Sequence, residues 1–229
     1  MVGNNYLEIK DAVADMCVSA GRDRADCTLI AVSKTKPVEL LREVYEAGCR
    51  DFGENKVQEL MDKYDKLPAD IRWHMIGHLQ TNKVKYIVDK VALIHSVDSV
   101  KLAREISKEA CKKNLTVSVL LEVNVAKEAT KYGFKAEDLL EAVKEIAFLP
   151  GVKVEGLMTI APFVENSEDN RVYFKQLKQL AVDISAKNID NISMNILSMG
   201  MSGDYLVAVS EGATYVRVGS SIFGNRTYS

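Results

Sequence analysis

Short apolar runs alternate with longer amphipathic stretches along most of this chain, and the alternation repeats eight times. The runs are Thr28–Val32, Asp51–Gly53, Trp73–Ile76, Leu93–Ser96, Val117–Val123, Lys153–Leu157, Met194–Ser198 and Tyr215–Val218. Several are apolar on both parities, the pattern of parallel strands covered on both faces. The stretches between them repeat at helical spacing. Leu41, Val44, Tyr45 and Gly48 follow the first run, with Pro37 suited to the opening turn. Val100, Ala103, Ile106 and Ala110 follow the fourth; Leu139, Leu140, Val143, Ile146 and Ala147 the fifth; Phe174, Leu177, Ala181 and Ile184 the sixth. A leading helix on Tyr6, Ile9, Val13, Met16 and Ala20 precedes the first strand. Strand–helix alternation implies right-handed parallel crossovers. Eight such units predict one α/β domain spanning 1–229: a single (β/α)8 TIM barrel with an extra N-terminal helix and no second domain. A doubly wound sheet would put a glycine-rich turn after its first strand. Here that turn reads Ser33-Lys34-Thr35-Lys36-Pro37, without glycine.

Composition narrows the function. With 30 Lys+Arg against 32 Asp+Glu, the formal charge of −2 leaves no basic footprint for nucleic acid or an anionic membrane. No apolar run approaches the roughly 20 residues of a membrane span, and the N-terminus has no signal pattern, so a cytoplasmic protein is expected. Cys17, Cys27, Cys49 and Cys111 are too widely spaced for a disulfide framework or structural zinc. His74 and His78 have the spacing of two ligands on one helical face, but Gly77 interrupts them and the segment reads as strand then loop. No metal is expected.

Barrel active sites gather where strands end. There the sequence places Ser33 and Lys34, Glu54 and Asn55, His78 and Gln80, Asn124, Met158 and Thr159, the stretch Ser198-Met199-Gly200-Met201-Ser202-Gly203, and Gly219-Ser220-Ser221 just beyond Arg217. A lysine ending a buried strand is partly desolvated, which frees its amine to attack a carbonyl. Lys34 is that lysine or else merely reaches out to solvent, and Lys36 competes for the role. The loops after the seventh and eighth runs carry Gly200, Ser202, Gly203, Gly219, Ser220 and Ser221, suited to a phosphate at the strands where barrels often bind one. Arg217 points opposite to Val216 and Val218. Turned inward, it can donate to a ring nitrogen; turned outward, it would pair with a surrounding helix. An aldehyde, a phosphate and a ring nitrogen together describe pyridoxal 5′-phosphate (PLP). A Schiff-base aldolase of a sugar phosphate would share the lysine and the loops.

At these residues the chain resembles the YggS/PROSC family of pyridoxal-phosphate-binding proteins. The resemblance rests on Ala31-Val32-Ser33-Lys34-Thr35-Lys36-Pro37, on Phe52-Gly53-Glu54-Asn55 with Val57-Gln58-Glu59, and on Trp73-His74 with Ile76-Gly77-His78-Leu79-Gln80-Thr81-Asn82-Lys83. Gly156-Leu157-Met158, Leu197-Ser198-Met199-Gly200-Met201-Ser202, and Arg217-Val218-Gly219 through Ile222-Phe223-Gly224 complete it, in order along nearly the whole chain. Lys56, Thr130 and Ser220 depart from the residues frequent in that family.

The resemblance implies a barrel like the N-terminal domain of alanine racemase. It implies PLP held as a Schiff base on Lys34, with Asn55 beside it and Arg217 facing the pyridine nitrogen. Ser198, Met199, Gly200, Gly219 and Ser220 would hold the phosphate by side chain or backbone, and Lys131 is a candidate second contact. The implied function is intracellular PLP (vitamin B6) homeostasis without strong turnover, with amino acids and apo PLP enzymes as further partners. The alternative is an amino-acid racemase, whose second acid/base group would have to come from outside this barrel.

Overall fold

The computed structural model describes residues 1–128 and 131–224. Among them, eight parallel strands close into a barrel in chain order: β1 (Thr28–Val32), β2 (Asp51–Glu54), β3 (Arg72–Met75), β4 (Leu93–Val97), β5 (Val117–Glu122), β6 (Val152–Met158), β7 (Ile192–Met201) and β8 (Tyr215–Val218). The helices are α1 (Val2–Ser19), α2 (Val38–Glu46), α3 (Val57–Tyr64), α4 (Val84–Ile87), α5 (Val100–Lys112), α6 (Leu139–Ala147), α7 (Arg171–Ser185), α8 (Tyr205–Ser210) and α9 (Ser220–Phe223). All eight expected strands are present, with ends moved by a few residues. Pro37 lies just before α2 with extended ψ, one residue earlier than expected.

Strand alternation sorts the side chains into two compartments. Outward residues such as Leu29, Ala31, Phe52, Trp73, Met75, Val119, Leu121, Leu197, Met199, Val216 and Val218 form one large core with the helices. Helix α5 shows how the sequence builds that layer. The Ser99 hydroxyl accepts the Leu102 N–H at 3.3 Å, a cap worth about 1 kcal/mol, and Leu102, Ala103, Ile106 and Ala110 bury one face. Helix α1 packs against α2, α8 and α9, and the Asn5 amide donates to the Ile222 carbonyl at 3.0 Å. It thus fills an outer-ring position beside the short α9.

The barrel interior is different. A small apolar plug of Leu93, Leu120 and Met158, flanked by Ile160, Ile196 and Tyr215, shares the space with polar groups. Asp51, His74, His95, Ser198 and Arg217 are all buried. Near the opposite end, the Ser118 and Ser193 hydroxyls both donate to the Glu155 carboxylate at 3.2 Å. No helix among the described residues is long and apolar enough to cross a membrane.

Candidate functional site

Strand register assembles the rim. Val32 pairs with Gly53, so Lys34 and Asn55 each stand two residues past a paired position on neighbouring strands. Ile30 pairs with Arg217 and Ala31 with Val218, which sets Gly219 beside the end of β1. A Cβ on Gly219 would lie 3.2 Å from the Val32 carbonyl oxygen, a measure of how closely the β8 exit approaches β1.

Lys34 is half-buried in the turn after β1, with the next residue, Thr35, at φ +63°. The turn is braced from below. The Lys63 ammonium, buried on α3, donates to the Ser33 carbonyl at 2.8 Å and to the Glu54 carboxylate at 2.7 Å. Glu54 also accepts the Ser33 hydroxyl at 2.6 Å. Burial raises the Glu54 carboxyl, and Lys63 and Ser33 offset part of that rise. The Thr35 N–H donates to Glu59 at 2.6 Å. Lys36 reaches elsewhere, its amine donating to the Phe223 and Gly224 carbonyls at 3.0 Å each at the end of α9.

Asn55 is held by a close approach: a Cβ on Gly77 would fall 2.4 Å from its carbonyl oxygen. The Asn55 side-chain oxygen is buried with no hydrogen-bond partner among the described residues. A buried polar atom of this kind costs free energy unless a ligand or water supplies a donor.

The exit of β7 departs from expectation. The strand runs on through Met201, which pairs with Arg217 after a register shift beyond Ser198. Gly200 sits in that irregularity at φ +90°, and a Cβ there would meet the Ala208 Cβ at 2.5 Å. Met199 turns outward into the helix-facing core. Ser220 opens α9 and is exposed. The Ser202 hydroxyl, at the rim, accepts the Gly219 N–H at 3.2 Å.

Arg217 points inward, 4% exposed. Its guanidinium donates to the Ser198 hydroxyl at 2.5 Å and to the Thr159 carbonyl at 2.8 Å. Burial pulls its pKa down to about 10, with Glu122 and Asp204 opposing the drop, so it remains a cation at neutral pH. Glu122, at the end of β5, is pushed up to about 7 by burial and by Asp98, against the pull of Arg217.

Ser198 and Ser202 stood among the expected phosphate residues, whereas His74, His95 and Glu122 were not expected beside the cofactor site. Ser198 turns its hydroxyl into the interior, where it also contacts His95 Nδ1 at 2.9 Å. His95 Nε2 lies 2.9 Å from His74 Nδ1, and His74 Nε2 lies 3.1 Å from Asp51. Inward parity on the third and fourth runs was the signal for the two histidines. Glu122 carried no such signal, since it lies within the apolar fifth run. His78 diverges from His74, pairing with Asp98 at 2.9 Å and stacking on Tyr132 with centroids 3.8 Å apart. Among the described residues no group of three His, Cys, Asp or Glu is placed to hold a metal ion. The Lys131 amine donates to the Ile160 and Ala161 carbonyls at 3.4 and 3.3 Å; Thr130 lies outside the described residues.

A closed parallel barrel with a lysine after its first strand and an inward arginine on its last belongs with the barrels of the alanine racemase N-terminal domain family, which matches residues 17–227. Its likeness to alanine racemase from Clostridium difficile (TM-score 0.76, 13% identity, 99% of this chain and 58% of that one) is one of fold. A pyridoxal phosphate homeostasis protein from Aquifex aeolicus is 48% identical over 221 residues, covering 96% of each chain. PipY of Synechococcus elongatus, solved with PLP bound, aligns with TM-score 0.81 and 36% identity over 93% of this chain and 100% of that one. The chain belongs to the family of pyridoxal phosphate homeostasis proteins.

Proposed function

We propose that this protein binds PLP at the C-terminal mouth of the barrel, covalently through Lys34, and serves intracellular PLP homeostasis by holding and releasing the cofactor. One observation carries the reading: strand register brings Lys34, Asn55 and Gly219 to one lip with Arg217 directly beneath. The buried Asn55 oxygen, without a hydrogen-bond partner among the described residues, fits a bound ligand that supplies a donor. When bound, PLP supplies an aldehyde conjugated to an electron-withdrawing pyridine ring.

The chain's residues divide the work. Lys34 attaches through its amine. Lys36, directed to the α9 carbonyls, is the weaker candidate for that role. Arg217, still protonated, donates toward the ring nitrogen and disfavours its protonation, which weakens the ring as an electron sink. Asn55 satisfies its amide at the ring edge. Backbone around Met199, Gly200, Gly219 and Ser220 takes the phosphate, with Ser198 acting through Arg217 beneath. Lys34, half-buried at an open rim, can yield its bound group to an incoming primary amine, whether of an amino acid or of an apo enzyme. A single domain across 1–229 suffices for holding and release. Three buried thiols and one exposed one, none in a disulfide, suit a reducing cytoplasm.

The test is an absorption spectrum of the PLP-incubated protein before and after borohydride, followed by peptide mapping. Reduction should fix the label on Lys34, and Lys34→Ala should abolish the adduct. A label on Lys36, or an unlabelled protein, would overturn the reading.

A further inference from the structure

The barrel interior holds a row of hydrogen-bonding groups that ends at the guanidinium. We propose that Asp51, His74, His95 and Ser198 form a one-way hydrogen-bond relay that fixes Arg217, with the two histidines as positioning residues. The role toward PLP rests on the function proposed above; the relay itself does not.

Arg217 has only donors, and the Asp51 carboxylate has only acceptors. Asp51 is anchored by Arg72, whose Nε and Nη2 donate to its two oxygens at 2.8 and 2.5 Å. Between these ends stand three groups, each able to donate one hydrogen and accept another when both rings are neutral. With one proton per ring, one direction makes every bond. Arg217 Nη1 donates to Ser198 Oγ, Ser198 to His95 Nδ1, His95 Nε2 to His74 Nδ1, and His74 Nε2 to Asp51 Oδ1. The reverse direction makes Ser198 accept from both Arg217 and His95, leaving its own hydrogen without the ring. It also faces a bare His74 nitrogen against the Asp51 carboxylate unless His74 takes an extra proton.

The surroundings favour a neutral His95. Burial, then the nearby His74 and Arg217, drive His95 well below its ordinary pKa. Burial raises the Asp51 carboxyl, but hydrogen bonds from His74 and Arg72 outweigh it and leave it lowered. The His74 and His95 rings also meet edge to face, and both contact the Tyr215 ring, so neither rotates without displacing a neighbour.

Two-bond 1H–15N spectra of protein labelled with 15N-histidine, without PLP at pH 7, test the relay directly. His78→Asn removes the third set of signals. The remaining two rings should both be neutral with the proton on Nε2. A proton on Nδ1 of either, or a doubly protonated ring, overturns the relay. PLP titration then tests the positioning role. His95→Asn keeps an acceptor for Ser198 and loses the link to His74, so PLP affinity should fall about tenfold, the equivalent of one hydrogen bond, with a shifted absorption maximum. A folded His95→Asn protein within about twofold of wild type and spectrally unchanged refutes that role. Wild-type protein that takes up no PLP overturns the binding reading and the positioning role with it, while the tautomers still decide the relay.

Discussion

Glu122→Gln should stabilise the protein, and only above acidic pH. The Glu122 side chain is 7% exposed at the barrel mouth, facing Asp98 and Arg217, and its pKa is pushed from 4.5 to about 7. Burial is the largest cause, Asp98 adds to it, and Arg217 opposes it. Because the folded value lies above the unfolded one, folding retains a proton that the unfolded chain releases between those two values. Stability from this group is therefore complete below pH 4.5, declines as pH rises, and levels off beyond about 7. At about 1.4 kcal/mol per pH unit, the full loss is about 3 kcal/mol. Glutamine has nearly the same shape and never ionises. The stability difference between variant and wild type should be near zero at acidic pH and grow to about 2–3 kcal/mol by pH 8. Urea unfolding of the PLP-free proteins across that range measures it, with an unchanged slope confirming that both unfold alike. A carboxylate stabilised by Arg217 would give the opposite sign, with the variant losing stability as pH rises. A flat difference would also refute the reasoning.

Four further substitutions probe the rim and the interior beneath it. Gly200→Ala combines a φ of +90° with a methyl 2.5 Å from the Ala208 Cβ, so it should destabilise by about 2–4 kcal/mol. Gly203→Ala, with nothing within 4 Å, should stay within about 0.5 kcal/mol by the same denaturation assay. Ser202→Ala should weaken PLP binding about tenfold and leave the absorption maximum in place, whereas Ser198→Ala, beneath Arg217, should move the maximum; titration followed by absorbance separates the two.

The fold was legible because its signal is redundant. Eight short apolar runs, most of them buried on both parities, recur between helical stretches, and a misplaced end on one does not disturb the alternation. The leading helix was equally plain, since Tyr6, Ile9, Val13 and Cys17 all bury one face. What periodicity could not convey was local geometry. The expected loop at Met199 to Met201 is instead strand, because Gly200 absorbs a register shift and lets Met201 pair with Arg217. The inward direction of Arg217 followed from parity only after its neighbours were placed. Its acceptors came from β7 and from the residue after β6, 19 and 58 positions away.

Ser198 shows why the site itself was harder to read than the barrel. From sequence it stands in a small-residue segment and suits a phosphate as well as Ser202 does. A hydroxyl has one hydrogen to give and two lone pairs to accept with. At Ser198 the Arg217 guanidinium takes a lone pair and His95 takes the hydrogen, in a place with no solvent access. Recruiting that hydroxyl to an anion would break its bond to His95 or to Arg217, and an unpaired buried donor costs about 1–3 kcal/mol. Ser202 carries no such commitment inward: its hydroxyl meets the Gly219 N–H at the rim, where one N–H and one hydroxyl already converge. The two serines, four residues apart on one strand exit, therefore fall to different tasks. The inner one holds the cation proposed to face the ring, and the outer one stands with the backbone proposed to take the phosphate.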